Sequence, residues 1–232
     1  MTITARPIGA ARATLASEVR AEIERMIVEG DLQAGAKLNE LALSAAIGVS
    51  RGTVREAIRS LADSGLIDLV ANRGAFVHET TIAEIRNLYD LRGAIFAMAC
   101  SSAARRVATG EERRLVRKLR DNLERMRGVH ADGDTKKYYA LNIEFHDALM
   151  EAAGNPKAKS MYDNLVKEMH LFRRRGLSIA TNVARSIEEH EAIVAAVEAG
   201  DAEGTRRAAQ EHINSGLARY MKMLEDTEEP TA

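Results

Sequence analysis

The chain has 232 residues, of which 46% are hydrophobic and 29% are charged, and its formal net charge is −1. This composition excludes an intrinsically disordered chain and allows two modest domains, each with its own core. No run reaches the roughly 18 consecutive apolar residues of a membrane-spanning helix, and the N-terminus lacks a signal-peptide pattern. We therefore expect a cytoplasmic protein that does not interact with a membrane.

Three helical patterns follow a first dozen residues that we expect to be frayed. The first pattern stops at Gly30, and its apolar face is formed by Leu15, Val19, Ile23, Met26 and Ile27. The second runs from about residue 40 to residue 47, between Asn39 and Gly48. Ser50 then supplies a hydroxyl that can cap a third helix up to Gly65, whose core positions are Val54, Ala57, Ile58 and Leu61.

Two β-rich runs, residues 66–70 and 75–78, come next. The segment between them contains Asn72 and Gly74, which can turn the chain back on itself. Three helices followed by a small hairpin form a winged helix-turn-helix. We predict this DNA-binding domain over residues 1–79, with residues 1–12 as a flexible arm.

Beyond Thr81, amphipathic helical patterns continue almost to the end of the chain. They are broken near residues 109–110, 131–134, 154–156, 176–182 and 200. The patterns predict an all-α antiparallel bundle of about six helices over residues 80–226, with a tail at 227–232 and fraying from Glu225 onward. The fold class is therefore mainly α. The single cysteine, Cys100, lies in an apolar stretch and is expected to be a small core residue.

Arginines recur every four residues along the third helix, at Arg51, Arg55 and Arg59. They form one stripe beside the apolar stripe, where they can meet phosphates or guanine edges. The alternative is an ordinary solvated helix face, which is common for an isolated arginine stripe. The short preceding helix, the turn and the hairpin favour operator DNA, although the net charge gives no overall sign of nucleic-acid binding.

The N-terminal domain resembles the GntR family of bacterial regulators over about residues 15–78. The similarity is found in residues 34–40, 48–51, 54–59 and 73–77. It implies that the operator is contacted from the recognition helix and the hairpin tip by Ser50, Arg51, Gly52, Thr53, Arg55, Arg59, Arg73 and Gly74. Two positions depart from the family, because Ala34 replaces the usual proline and Leu41 stands where some relatives have an arginine.

Three histidines of the predicted bundle, His146, His190 and His212, stand at positions that can converge. Asn142 precedes His146 by four residues, so both side chains lie on one helix face. Three imidazoles and an amide oxygen could hold a divalent transition metal with positions left open. Each histidine taken alone is more often a hydrogen-bonded core or surface residue.

The sequence around these histidines resembles the FCD ligand-binding domain of the FadR subfamily, over about residues 82–224. The similar segments are residues 142–149, 153–156, 189–193, 200–203 and 211–213. The resemblance implies metal ligands at Asn142, His146, His190 and His212, with zinc favoured over nickel or manganese. It also implies a small organic acid from carbon metabolism as the effector.

Arg92 matches the arginine near the start of the FCD domain that typically meets an acidic effector. A buried guanidinium opposite a metal would clamp a carboxylate at two points, whereas the alternative is an ordinary surface arginine. Phe96 stands where relatives usually have a glutamate, which predicts a more apolar pocket. Arg173–Arg175 could touch ligand or DNA, but three charges at a helix end are more often solvated.

Together these features predict a ligand-responsive transcriptional repressor that binds double-stranded operator DNA as a homodimer. Such operators commonly contain two half-sites read by twofold-related modules. The acid would change the populations of dimer arrangements and hence operator affinity. The alternatives are a metal-responsive regulator, a structural metal, or a metal-dependent hydrolytic enzyme. No obvious general base is tied to the site and an enzyme would not need a winged helix, so we expect no enzymatic activity.

Overall fold

The computed structural model describes residues 15–169 and 180–228. The chain divides into two compact units, of which the first ends at Thr80 and the second begins at Thr81. Within the described ranges it forms nine helices and one two-stranded sheet, so the predicted mainly α fold is confirmed. None of the helices described is long and apolar enough to cross a membrane.

The first unit is a winged helix-turn-helix. Its elements are α1 (Leu15–Glu29), α2 (Glu40–Ile47), α3 (Arg51–Ala62), β1 (Ile67–Val70) and β2 (Gly74–Val77). Helix α3 packs against α1, α2 and β1 and forms the centre of the core. Val19, Ile23 and Ile27 are buried as the periodicity of α1 predicts. Leu15 was also expected on that buried face, but it is 55% exposed because it starts the helix, at the edge of the packed surface.

Local side-chain hydrogen bonds set the boundaries of α2 and α3. The side chain of Asn39 accepts hydrogen bonds from the backbone amides of Leu41 and Ala42, which fixes the start of α2. Gly48 ends α2 in the left-handed region, at φ 80°, where a side chain would be strained. Ser50 Oγ then accepts a hydrogen bond from the Thr53 amide at 3.1 Å and begins α3.

The hairpin pairs β1 and β2 in antiparallel register, from Ile67 opposite Val77 to Val70 opposite Gly74. Asn72 has φ 59° and reverses the chain where the sequence predicts it. The observed strands are residues 67–70 and 74–77, whereas 66–70 and 75–78 were expected. Lys37 forms a further antiparallel bridge with Phe76, so the segment before α2 runs beside the hairpin.

The described part of the second unit contains six helices. They are α4 (Ile82–Ala108), α5 (Leu115–Ala131), α6 (Thr135–Ala152), α7 (Pro156–Glu168), α8 (Ala180–Glu198) and α9 (Ala202–Glu228). Helix α4 contacts α6, α7, α8 and α9, which makes it the central helix of the bundle. Short connections between most successive helices are typical of an antiparallel bundle.

Two predicted boundaries in this unit are wrong. The break expected at residues 176–182 ends earlier, because residues 180–182 belong to α8. Helix α9 continues to Glu228, past the expected fraying at Glu225, because Met223 and Leu224 pack against the core. The expected arm (residues 1–12), the Arg173–Arg175 run and residues 229–232 lie outside the described residues.

The core of the second unit contains both large apolar side chains and several polar ones. Phe96, Phe145 and Tyr162 are at most 1% exposed. Cys100 is fully buried, and this burial raises the pKa of its thiol, as expected for a protonated core residue. The buried polar side chains of this unit include Arg92, Asn142, His146, His190 and His212. Buried polar groups are costly unless they have partners, so this cluster requires an explanation in terms of function.

Candidate DNA-binding surface and metal centre

The recognition helix presents its arginines to solvent. The side chains of Arg51 and Arg55 are 58% and 50% exposed, and Arg59 is exposed as well. Glu40 of α2 pairs with Arg55 through two hydrogen bonds, of 3.0 Å to Nε and 2.6 Å to Nη2. The hydrogen bond from Arg55 lowers the pKa of Glu40 below its ordinary value, so this carboxylate stays ionised. Arg55 is thus oriented before any DNA binds.

The start of α3 brings together the small residues of the predicted surface. Ser50 Oγ lies 2.8 Å from Thr53 Oγ1, so the two hydroxyl groups form a hydrogen bond at the N-terminus of the helix. A Cβ added at Gly52 would lie 3.6 Å from Ser50 Oγ, an ordinary contact, so Gly52 is not required by packing within the unit. Its lack of a side chain instead leaves the helix start open to close approach.

Two cations lie near one aromatic ring of the hairpin, and one of them comes from the segment before α2. The guanidinium of Arg73 lies 5.6 Å from the centre of the Phe76 ring, and Lys37 Nζ lies 5.9 Å from it. Gly74 has φ 105°, and a Cβ there would lie 3.4 Å from Lys37 Cε. Sequence reasoning missed Lys37, because only the bridge between Lys37 and Phe76 places this lysine beside the hairpin.

The three histidines converge in the core of the second unit. His146 lies on α6, His190 on α8 and His212 on α9, and each is at most 5% exposed. One ring nitrogen of each lies within 4.8 Å of the others. The Nε2 atoms of His146 and His212 are 3.2 Å apart. Residues distant in sequence therefore form one compact nitrogen-rich cluster.

Glu189 orients His212. Its Oε2 lies 2.8 Å from Nδ1 of His212, and it also accepts a 2.9 Å hydrogen bond from Nη2 of Arg219. Burial lowers the pKa of His212 to about 4, against the opposing effect of Glu189, so this imidazole is neutral at pH 7. A neutral ring that donates from Nδ1 keeps the lone pair of Nε2 directed at the other histidines.

Arg92 and Tyr162 flank His146 on its other side. Arg92 is 4% exposed and donates from Nε to Tyr162 Oη at 3.2 Å, while Tyr162 Oη lies 3.0 Å from His146 Nδ1. Nη2 of Arg92 is 3.5 Å from the same Nδ1. Tyr162 Oη can accept a hydrogen bond from Nδ1–H of His146, which leaves the lone pair of Nε2 available for a metal. Arg92 is therefore a buried cation beside the cluster and not a surface arginine.

Two other predicted positions also face the core. Asn142 is 2% exposed on α6, one turn before His146. Phe96 is fully buried, with its ring centre 4.3 Å from that of His146 and 5.7 Å from that of Tyr162. An aromatic ring thus occupies the wall beside the cluster. A Cβ at Gly93, next to Arg92, would lie 2.4 Å from Nε2 of Gln210 on α9, so the flexible end of that side chain would have to shift.

Comparison with known proteins identifies the two units. The pattern of bacterial regulatory proteins of the gntR family matches residues 15–77, and that of the FCD domain matches residues 87–215. The chain belongs to the GntR family, with a C-terminal FCD domain. The family consists of DNA-binding transcriptional regulators and not of enzymes, which confirms the expectation that the protein has no enzymatic activity. The combination of domains fits the FadR subfamily.

Relatives of this GntR-family chain include named repressors. It is 30% identical, over 89% of its length and 88% of the relative, to a probable D-xylose utilization operon transcriptional repressor of Paenarthrobacter nicotinovorans. It is 28% identical to the HTH-type transcriptional repressor RspR of Escherichia coli, over 82% of each chain. The solved structure of E. coli McbR/YncC has the same fold, with a TM-score of 0.72 and 21% identity over 92% of this chain and all of that one.

The residues of the cluster fit a metal ion. FCD domains are known to bind metals. Nitrogens that share a zinc ion lie about 2.0–2.1 Å from it, so a separation near 3.2 Å, as between the two Nε2 atoms, is compatible with joint ligation. An imidazole-rich set suits zinc or nickel better than manganese, which prefers oxygen. Sequence reasoning did not identify the supporting roles of Tyr162, Glu189 and Arg219, because the partners of these residues lie on other helices.

Proposed function

We propose that this GntR-family regulator represses genes of carbon or organic-acid metabolism and responds to a small carboxylate bound at a divalent metal. The observation that supports the proposal most is the buried cluster of His146, His190 and His212 with Arg92 beside it. The name of the D-xylose operon repressor supports a role in carbon metabolism. We assign operator binding to residues 1–79, acting in the cytoplasm, and ligand binding and dimerisation to residues 80–226.

The proposed metal is zinc, held by the three histidines with the amide oxygen of Asn142 as a further ligand. When bound, the ion would act as a Lewis acid that anchors one oxygen of the carboxylate. Arg92 then supplies the second point of attachment, because a guanidinium can donate two parallel hydrogen bonds to a carboxylate. Phe96 and the surrounding apolar core exclude water, which strengthens both interactions.

The proposed operator contacts are those of the recognition helix and hairpin. Arg51, Arg55 and Arg59 are exposed in one stripe, and the cations of Arg73 and Lys37 are held beside the hairpin. Ser50, Gly52, Thr53 and Gly74 complete the surface. Sequence is then read by the arginines nearest the helix start, while the other cations bind phosphates.

We propose a homodimer because a palindromic operator requires two recognition helices. Exposed apolar side chains on the second unit are candidates for the interface. Leu91 and Met98 on α4 are 46% and 39% exposed, and Met161 on α7, a helix that packs on α4, is 47% exposed. Replacing Leu91 and Met98 with glutamate should convert the dimer to a monomer in light scattering. A wild-type monomer would contradict the proposal.

The first experiment combines elemental analysis and native mass spectrometry of freshly purified protein. We expect about one transition-metal ion per chain of a dimer, together with a small acid. Operator DNA selected from a random pool is then titrated with protein, with and without a chelator and with candidate acids. Release of DNA by an acid only when metal is present supports the proposal. Release by metal alone would make the ion itself the signal, and protein without metal would refute the metal-assisted mechanism.

A further inference from the structure

A cleft of about 550 Å³ opens between α8 and α9. Its volume lies within the range of about 300–1,000 Å³ typical of small-molecule sites. From α8 it is lined by Thr181, Asn182, Arg185 and Glu189, and from α9 mainly by Ser215, Arg219, Lys222 and Asp226. Ala218 and Met223 of α9 supply apolar surface beside these polar and charged side chains.

The cations of the cleft are not all neutralised by the protein. Among the residues that the structure describes, neither Arg185 nor Lys222 forms an ion pair. Of the two carboxylates in the lining, Glu189 is already bound by Arg219 and His212. Asp226 is therefore the one that remains to balance the charges of Arg185 and Lys222. The cleft therefore has an excess of positive charge, and its hydroxyl groups can donate further hydrogen bonds to an oxyanion.

The same cleft is linked to the histidine cluster by two successive contacts. Arg219 is a lining residue whose side chain is only 9% exposed, and it donates to Glu189 Oε2 at 2.9 Å. That oxygen lies 2.8 Å from Nδ1 of His212. A change at Arg219 thus reaches a proposed metal ligand through a single intervening carboxylate.

We propose that this cleft binds the carboxylate or phosphate group of a small metabolite, and that Arg219 and Glu189 couple its occupancy to the metal affinity of the histidine cluster. An anion that attracts Arg219 leaves Glu189 as a stronger acceptor for His212, and its own charge also favours a nearby divalent cation. Both effects raise the affinity of the histidine cluster for the metal. The coupling rests on the proposed metal centre, whereas the binding of the anion does not.

Binding is tested by calorimetry on full-length, metal-free protein titrated with succinate or inorganic phosphate at constant ionic strength. We expect one site per chain for at least one of them, and the better ligand identifies the chemical group. The double variant R185A/K222A should weaken binding at least tenfold. The control R117A/K157A removes the same charge from exposed positions outside the cleft and should bind as the wild type does. No binding, or equal loss in both variants, would overturn the site.

Coupling is tested by repeating the titration with zinc-loaded protein. We expect zinc to tighten anion binding about three- to tenfold, because linkage requires each ligand to favour the other by the same factor. E189Q should reduce this difference to the part that direct attraction between the anion and the zinc ion supplies. R185A/K222A controls for anion that binds the zinc directly. An unchanged affinity, or a protein that takes up no zinc, would overturn the coupling, and the metal-free titration would still decide whether the cleft is a site.

Discussion

The two candidate sites differ in how their charges are solvated. On the DNA-binding surface, Arg51 and Arg55 are about half exposed, and salt screens their interactions. In the second unit Arg92 and the three histidines are nearly fully buried, and each needs a partner within the protein. Exposed charges can be exchanged with small effects on the fold, whereas each buried group affects both stability and ligand binding. The following predictions test this contrast.

The largest effect is expected from His190→Ala. Removing one of three imidazoles from a buried site should lower zinc affinity at least a hundredfold and reduce the metal content from about one ion per chain to near zero. Metal content is measured by elemental analysis after dialysis. His130→Ala, outside the cluster, is the control and should retain the ion. An unchanged stoichiometry in His190→Ala would show that the cluster is not the metal site.

The second largest effect is expected in the pH dependence of the free energy of unfolding of the metal-free protein. The pKa of His212 is about 4 in the folded protein and 6.5 in the unfolded chain, so between these values the unfolded chain binds more protons. The stabilisation that depends on neutral His212 is therefore fully present above pH 6.5. The free energy of unfolding declines by on the order of 3 kcal/mol as the pH falls toward 4. Urea unfolding of wild type and His212→Gln at pH 7 and pH 4.5 measures it. Equal pH slopes in both proteins would contradict the prediction.

A moderate effect is expected from Arg51→Ala on operator affinity. Loss of an exposed arginine at the start of the recognition helix should weaken specific binding about 10- to 100-fold, with little change in thermal stability or metal content. Fluorescence anisotropy with a selected operator measures this. Arg117→Ala removes an exposed arginine of the other unit and should bind DNA normally. Full affinity in Arg51→Ala would place the recognition surface elsewhere.

The smallest effect is expected from Glu40→Gln. The change removes one of the two oxygens that accept hydrogen bonds from Arg55 and removes a negative charge from the DNA-binding surface. Binding to non-specific DNA should tighten about two- to fivefold at low salt, because another cation can meet the phosphates. Discrimination against non-specific DNA should decline, since Arg55 is less firmly oriented. Weaker non-specific binding would show that Glu40 assists DNA contacts in another way.

Sequence patterns predicted the elements of the first unit closely because their signals are local. Asn39, Gly48 and Ser50 set helix boundaries by hydrogen bonds and backbone conformation within a few residues. The exposed end of α1 at Leu15 and the helical residues beyond Glu225 were misjudged. Periodicity alone does not show how far a partner surface extends along a helix.

The sequence by itself determined the two-unit architecture, the cap residues and the identities of the histidines. Only the tertiary structure decided what surrounds them. Tyr162, Glu189 and Arg219 stand at ordinary helical positions, and their roles arise from contacts with residues 16 to 70 positions away. Helical periodicity specifies which face is buried but not which side chains meet across the core. Packing between helices therefore decided the tautomer of His212, the partner of Arg92 and the link from the cleft to the cluster.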